Sequence, residues 1–137
     1  MTNVDTIRAA YKTWNDTKGA NRAVWAELAS DDFEMHSVGA QPQGLQFAGE
    51  RRGPKQFDSY LRTLIEQWEM KYYRVDALFG DDSQVVMFGE CSYDFRANRQ
   101  NIITPIANLW TFRGGKALRC IEVFDSAGAV KVASMQA

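Results

Sequence analysis

Soft metal ligands and crosslinks are scarce in this sequence: its 137 residues include one histidine, His36, and two cysteines, Cys91 and Cys120. Two isolated thiols, each in an apolar strand-like segment, are too few for a disulfide framework, so both are expected to be buried and reduced. The same shortage argues against a zinc site. Only carboxylate binding of a hard cation stays open, and no metal is expected. An excess of one charge is also missing, with 16 Lys and Arg against 17 Asp and Glu. Neither nucleic acid nor a membrane surface is expected as a partner, because both call for clustered basic residues. Long apolar runs are absent too. The longest, Ala23 to Ala26 and Val85 to Phe88, fall far short of the roughly 20 residues of a spanning helix. The opening Met1-Thr2-Asn3-Val4-Asp5 lacks the basic-then-apolar pattern of a secretory signal, so a cytoplasmic location is expected. Gly114-Gly115 does not have the strand-to-helix setting of a phosphate-binding loop, and no cofactor is expected.

What is present suits one domain over residues 1–137, long enough to bury roughly 68–70% of its unfolded surface and so to enclose a cavity. Val4, Ile7, Tyr11 and Trp14 are spaced by three and four, predicting a helix over 3–17 that Lys18-Gly19 can end. A second helix over 20–29 buries Val24, Trp25 and Leu28. A short strand over Phe33 to Val38 and a turn-rich Gly39 to Gly44 follow, then a second short strand at about Leu45 to Ala48. Gly53-Pro54 opens the clearest helix, which carries Phe57, Tyr60, Leu61, Leu64, Ile65 and Trp68 on one face and runs to about Glu69.

From Met70 onward the pattern becomes an antiparallel meander with strands at 70–79, 84–96, 100–113 and 117–124. The third of these is apolar on both parities: Ile102, Ile106, Trp110 and Phe112 on one face, Ile103, Pro105, Ala107 and Leu109 on the other. A sheet with one wet face should alternate instead, so both faces need a cover. Helices can supply one. A second copy of the chain across a two-fold axis supplies the other, giving a homodimer through the outer face of the sheet. The alternative is that the tail from Val130 to Met135 folds over that face.

The runs Asp32-Phe33-Glu34-Met35-His36-Ser37-Val38-Gly39, Phe47-Ala48-Gly49-Glu50-Arg51-Arg52-Gly53-Pro54 with Phe57, Leu109 through Lys116, and Glu122-Val123-Phe124-Asp125 carry a resemblance. Taken with the element order, they resemble the SnoaL-like branch of the nuclear-transport-factor-2-like superfamily, over about residues 4–128. The resemblance implies an α+β fold. Its form is a cone-shaped barrel of three N-terminal helices packed on a strongly curved, mainly antiparallel sheet of about six strands. It also implies a deep apolar pocket between helices and sheet. One scaffold in this superfamily hosts isomerases, cyclases, dehydratases, epoxide hydrolases and non-catalytic binders. Ketosteroid isomerase illustrates its acid/base logic. That enzyme's general-base carboxylate falls at His36, its neutral oxyanion-facing acid at Asn108, and its helix-one tyrosine at Ala10, next to Tyr11. None of these residue types is kept, which argues against steroid isomerisation.

A different set is chemically coherent. His36 can take or give a proton near neutral pH, Glu122 between apolar neighbours can orient it or share its proton, and Asn108 can polarise a carbonyl oxygen. Strand parity, however, groups His36 with Glu34 rather than with Phe33 and Met35, and only a bulge before Gly39 would reverse this. Trp14, Tyr60, Trp68, Trp110, Phe124 and the lone carboxylate Glu90 are candidate ligand contacts. Glu90 also reads as a paired structural carboxylate, Asp125 as the cap of a terminal helical turn, and Arg51-Arg52 as a solvated turn. Two readings follow. One is a small cofactor-free enzyme that transfers a proton on a carbonyl-bearing cyclic or aromatic molecule. The other is a non-catalytic small-molecule-binding or dimerisation domain of the same fold.

Overall fold

The computed structural model describes residues 1–38 and 49–136. A reciprocal capping box starts α1 (Asn3–Asp16): the Asp5 N–H donates to Thr2 Oγ1 and the Thr2 N–H to Asp5 Oδ2. Lys18 and Gly19 end this helix with positive φ angles of 51° and 81°, as the sequence predicts. The six-residue α2 (Ala23–Leu28) leads into β1 (Ala29–Ser37), which is longer than expected. The expected Gly39 to Gly44 connection and Leu45 to Ala48 strand lie outside the described residues. Beyond them come β2 (Gly49–Arg52), α3 (Gly53–Gln67), β3 (Trp68–Gly80), β4 (Gln84–Phe95), β5 (Asn101–Arg113), β6 (Lys116–Phe124) and α4 (Ser126–Ala133).

The six strands form one sheet in the order β2-β1-β6-β5-β4-β3, antiparallel at every pairing except β1–β6, which is parallel. Register shifts between Met70 and Tyr72 and between Val75 and Ala77 interrupt the β3–β4 ladder, and such bulges bend a strand. Gly89 sits at the second of them. A Cβ there would collide with the Arg74 carbonyl oxygen, so this close backbone approach requires glycine. At the β5–β6 hairpin, Gly114 and Gly115 have φ of 60° and 77°, the pair of positive angles that a two-residue type I′ turn demands.

Among the described residues the α+β barrel has six strands, as the resemblance implies, but four helices rather than three. The fourth is α4, where only a helical turn is expected. Asp125 Oδ1 accepts from the Gly128 N–H at 2.9 Å and caps a helix of two full turns.

One face of the sheet holds the core. Ile7, Tyr11 and Trp14 of α1 and Phe57, Tyr60 and Leu61 of α3 are buried with Met87, Cys91, Ile106, Trp110 and Cys120 from the strands. In β5 the even-numbered residues from Ile102 to Phe112 are all buried, matching the predicted inner parity. On the other face Phe88, Ile103 and Val123 remain 51%, 59% and 51% exposed. The tail does not cover them. Ala129 is buried and Val130 and Val132 pack against the core, while Asn98 Nδ2 donates to the carbonyls of Val132 (2.8 Å) and Met135 (3.0 Å). The tail thus satisfies its backbone on the inner side, and the alternative of a tail folded over the outer face is excluded. Among the described residues no helix is long and apolar enough to cross a membrane.

Candidate functional site

A cavity of about 70 Å3 opens between α1, α2, α3, α4 and the sheet. Its walls are almost wholly apolar. Trp14, Tyr60, Trp68, Trp110 and Phe124, all expected as ligand contacts, line it, and so do Asn108 and Glu122. The rings pack closely on one another: Trp25 stacks on Trp110 with centroids 5.3 Å apart, and Tyr11 on Tyr73 at 5.4 Å. Contacts of this kind hold aromatic walls in place beyond what area burial alone does.

Glu122 is the one carboxylate among the described residues of this wall, and it is only 8% exposed. Its strand position explains why. Glu122 follows Cys120 on the inner parity of β6 and pairs across the ladder with Asn108 of β5, so both side chains enter the cavity from adjacent strands. Tyr60 reaches down from α3 and donates its hydroxyl hydrogen to Glu122 Oε1 at 2.6 Å. Burial disfavours the charged carboxylate and raises its pKa to about 7, against the opposing pull of the Tyr60 hydrogen bond.

Asn108 ties this carboxylate to a second donor chain. With its amide oxygen facing Tyr11, it accepts from the Tyr11 hydroxyl at 2.6 Å and donates from Nδ2 to Glu122 Oε2 (3.3 Å) and the Ala107 carbonyl (2.9 Å). The reverse orientation would set the amide oxygen against those two acceptors. Trp110 Nε1 donates to the Tyr11 oxygen at 2.9 Å. Hydrogen bonds therefore run from Trp110 through Tyr11 and Asn108 to Glu122, which Tyr60 approaches from the other side. Each carboxylate oxygen keeps a lone pair free for a ligand. The Tyr73 hydroxyl lies 3.4 Å from the Asn108 amide. Burial holds Tyr11, Tyr60 and Tyr73 well above the usual phenol range, so all three remain neutral donors. Cys91 and Cys120 are free and buried as expected, and burial pushes both thiols up and away from thiolate chemistry.

The structure separates His36 from this group. Met35 pairs with Cys120 and Ser37 with Glu122 in the parallel β1–β6 ladder, whereas His36 pairs with Ile121. Its ring consequently lies on the opposite face from Glu122: the one register shift of this ladder falls between Ala29 and Glu34, and from Glu34 to Ser37 the pairing is regular. There Nε2 is 3.0 Å from Glu34 Oε1 and Nδ1 is 3.8 Å from Glu50 Oε2. The expectation that Glu122 orients His36 within the pocket is thus corrected. The ligand atoms of Glu34, His36 and Glu50 lie within 4.8 Å of one another, a spacing that could hold a metal ion. The Arg52 guanidinium already balances both carboxylates, at 3.7 Å from Glu34 and 2.9 Å from Glu50. Arg51 and Arg52 lie in β2 rather than in a turn.

Glu90 is corrected in the same way, because its parity on β4 places it outside the cavity. It accepts from the Tyr72 hydroxyl at 2.6 Å and from Arg74 at 3.3 Å, the paired structural carboxylate of the plainer reading. The sequence did not reveal Tyr11 and Tyr73 as polar members of the site. Their amphipathic and strand positions mark them for burial, but nothing in spacing shows where a hydroxyl ends up.

Known proteins share this architecture. A Burkholderia thailandensis E264 protein described as NTF2-like is 18% identical, with 98% of this chain and 99% of that one covered and a TM-score of 0.83. TerC, co-crystallised with polyporic acid, is 18% identical over 97% of this chain and 98% of its own, with a TM-score of 0.77. A Pseudomonas putida KT2440 protein provisionally named a polyketide cyclase is 15% identical over 96% and 98%, with a TM-score of 0.75. At these low identities the TM-scores show a shared fold and nothing further. No curated protein matches the chain. The SnoaL-like domain family model matches residues 7–120, most of the chain, and the protein belongs to that family.

Proposed function

We propose that the protein is a small cofactor-free enzyme that transfers a proton on a carbonyl-bearing cyclic or aromatic molecule held in the cavity, with Glu122 carrying the proton. One observation supports this above the others: a single carboxylate, buried in an aromatic wall, has its pKa raised to about 7, where a group can both accept and return a proton at neutral pH. Glu122 removes a hydrogen next to the carbonyl and returns it elsewhere on the same molecule. Tyr73, whose described hydroxyl contact is only the 3.4 Å approach to Asn108, donates to the developing enolate oxygen. Asn108 acts as a positioning residue, since its amide hydrogens are taken by Glu122 and Ala107. The ligand-bound TerC structure supports small-molecule binding by this fold.

The test is exchange of ketone α-hydrogens for deuterium, followed by NMR over a panel of cyclic and aryl ketones. The protein should accelerate exchange for at least one of them, and Glu122→Gln should lose on the order of 10² to 10⁴ of that acceleration. Undiminished exchange by Glu122→Gln would remove Glu122 from the chemistry. A binding domain without catalysis is favoured by one feature, the mutual satisfaction of Trp110, Tyr11, Asn108, Glu122 and Tyr60; it would bind a panel member without exchange.

The reading includes one domain over 1–137, a cytoplasmic setting suited to two separate free thiols, and a homodimer. Phe88, Ala107 and Val123 form one row across β4, β5 and β6 on the outer face, an apolar row that a two-fold axis can pair with itself. Sedimentation should find two copies, and Phe88→Glu with Val123→Lys should give one. A monomeric parent protein would rule the dimer out.

A further inference from the structure

We infer that the cavity selects an organic cation, an ammonium or iminium compound whose positive charge sits among the aromatic rings and against Glu122. This rests on the cavity being a ligand site with Glu122 in its wall, and it narrows the ligand class: the carbonyl compound would also carry a basic nitrogen. Three features of the wall carry the inference.

Ten of the 21 lining side chains are aromatic, among them all four tryptophans of the chain. The faces of such rings are electronegative and attract a cation most strongly where water is excluded. Among the described residues Glu122 is the only lining one with a formal charge, for no described Lys, Arg or His lines the cavity. Its hydrogen bonds come from a neutral phenol and a neutral amide. A buried carboxylate without a counter-charge is costly, and a ligand cation would repay that cost where no side chain does. Finally, several of the chain's cations are paired with carboxylates away from the cavity: Arg22 with Asp58, Arg52 with Glu50 and Arg74 with Asp76. An anionic ligand would meet the Glu122 carboxylate as repulsion, with no lining cation among the described residues to offset it.

The same surroundings predict how binding varies with pH. The titratable groups packed around Glu122 are Tyr11 from α1, Tyr60 from α3, Tyr73 from β3, Cys91 and Tyr93 from β4 and Cys120 from β6. Burial keeps each of them neutral near pH 7. Glu122 alone ionises in that range, so affinity for a permanent cation should rise as pH increases through about 7.

The experiment compares phenyltrimethylammonium with its neutral isostere tert-butylbenzene by tryptophan fluorescence. At pH 8 the cation should bind at least tenfold more tightly than the isostere. That preference should vanish at pH 5 and in Glu122→Gln at pH 8. Equal or tighter binding of tert-butylbenzene would overturn the cation inference while leaving the cavity as a ligand site. Cation binding indifferent to both pH and Glu122→Gln would overturn it as well, by placing the cation elsewhere. Failure of both probes to bind would overturn the underlying reading of the cavity too. The pH series on the unaltered protein keeps the test decisive should the variant fold poorly.

Discussion

Tyr60 and Glu122, 62 residues apart in sequence, share a 2.6 Å hydrogen bond in which the phenol donates and the carboxylate accepts, so each sets the proton affinity of the other. The bond favours the charged carboxylate and partly offsets the effect of burial. Removing it with Tyr60→Phe should raise the Glu122 pKa above about 7. If ionised Glu122 is the working base, the acid limb of the pH–rate profile should move upward by about one unit, the shift equivalent to roughly 1.4 kcal/mol of lost hydrogen bonding. An unmoved limb would assign that limb to another group.

Glu122 also makes stability depend on pH. Its folded pKa of about 7 lies above the ordinary 4.5, so between those values the folded state binds more protons than the unfolded chain. Stability should therefore fall as pH rises from about 4.5 to about 7, by up to about 3 kcal/mol. Glu122→Gln should abolish this slope, leaving a protein more stable than its parent at pH 8 and little changed at pH 4. Urea unfolding at the two pH values checks this. A parent protein with no fall in stability across the interval would show that Glu122 ionises without penalty.

Tyr11 joins two groups that have few other options. In Tyr11→Phe the Trp110 indole N–H loses its acceptor and the Asn108 amide oxygen loses its 2.6 Å donor, leaving the Tyr73 hydroxyl 3.4 Å away, all in a buried setting. The cost should be about 1–3 kcal/mol. A double-mutant cycle with Trp110→Phe should show coupling of at least about 0.5 kcal/mol, whereas additive losses would mean the two side chains act independently.

His36→Ala should leave exchange activity and probe affinity unchanged within about twofold. Its ring lies across the sheet from Glu122, and its carboxylate neighbours are partly solvent-exposed, where such contacts contribute about 0–1 kcal/mol. A tenfold loss of activity would return His36 to the mechanism.

The architecture was legible where a local pattern determines it. Gly53-Pro54 marked the start of α3, and the paired parities of β5 separated an inner row of buried side chains from an outer row that is still exposed. Strand ends fell within two residues of expectation for β3 through β6 because turn residues bound them. Parity also placed His36 correctly beside Glu34. The case for a catalytic His36 rests on an imidazole's proton affinity near neutral pH, a property of the residue type that says nothing about which face of the strand it occupies. The partnership of Asn108 with Glu122 depends on hairpin register, and that of Tyr60 and Tyr11 with both depends on how helices seat on the sheet. Neither relation is written in a single segment. Likewise, the Ala-Val composition of residues 127–133 gives a weak periodic signal, so α4 looked like a turn.

That fourth helix gives the cavity a wall made separately from the rest of the barrel. Ala129 is the only α4 residue lining the cavity, and Asn98 and Thr104 hold the segment through its ends by bonding the Val132 and Met135 carbonyls and the Asp125 N–H. A methyl side chain at position 129 works as a spacer. A larger side chain there should narrow the cavity from the α4 side, whereas Glu122 and its donors Tyr60 and Asn108 sit on β6, α3 and β5, so the space for a ligand and the proton chemistry are set by different elements of the chain.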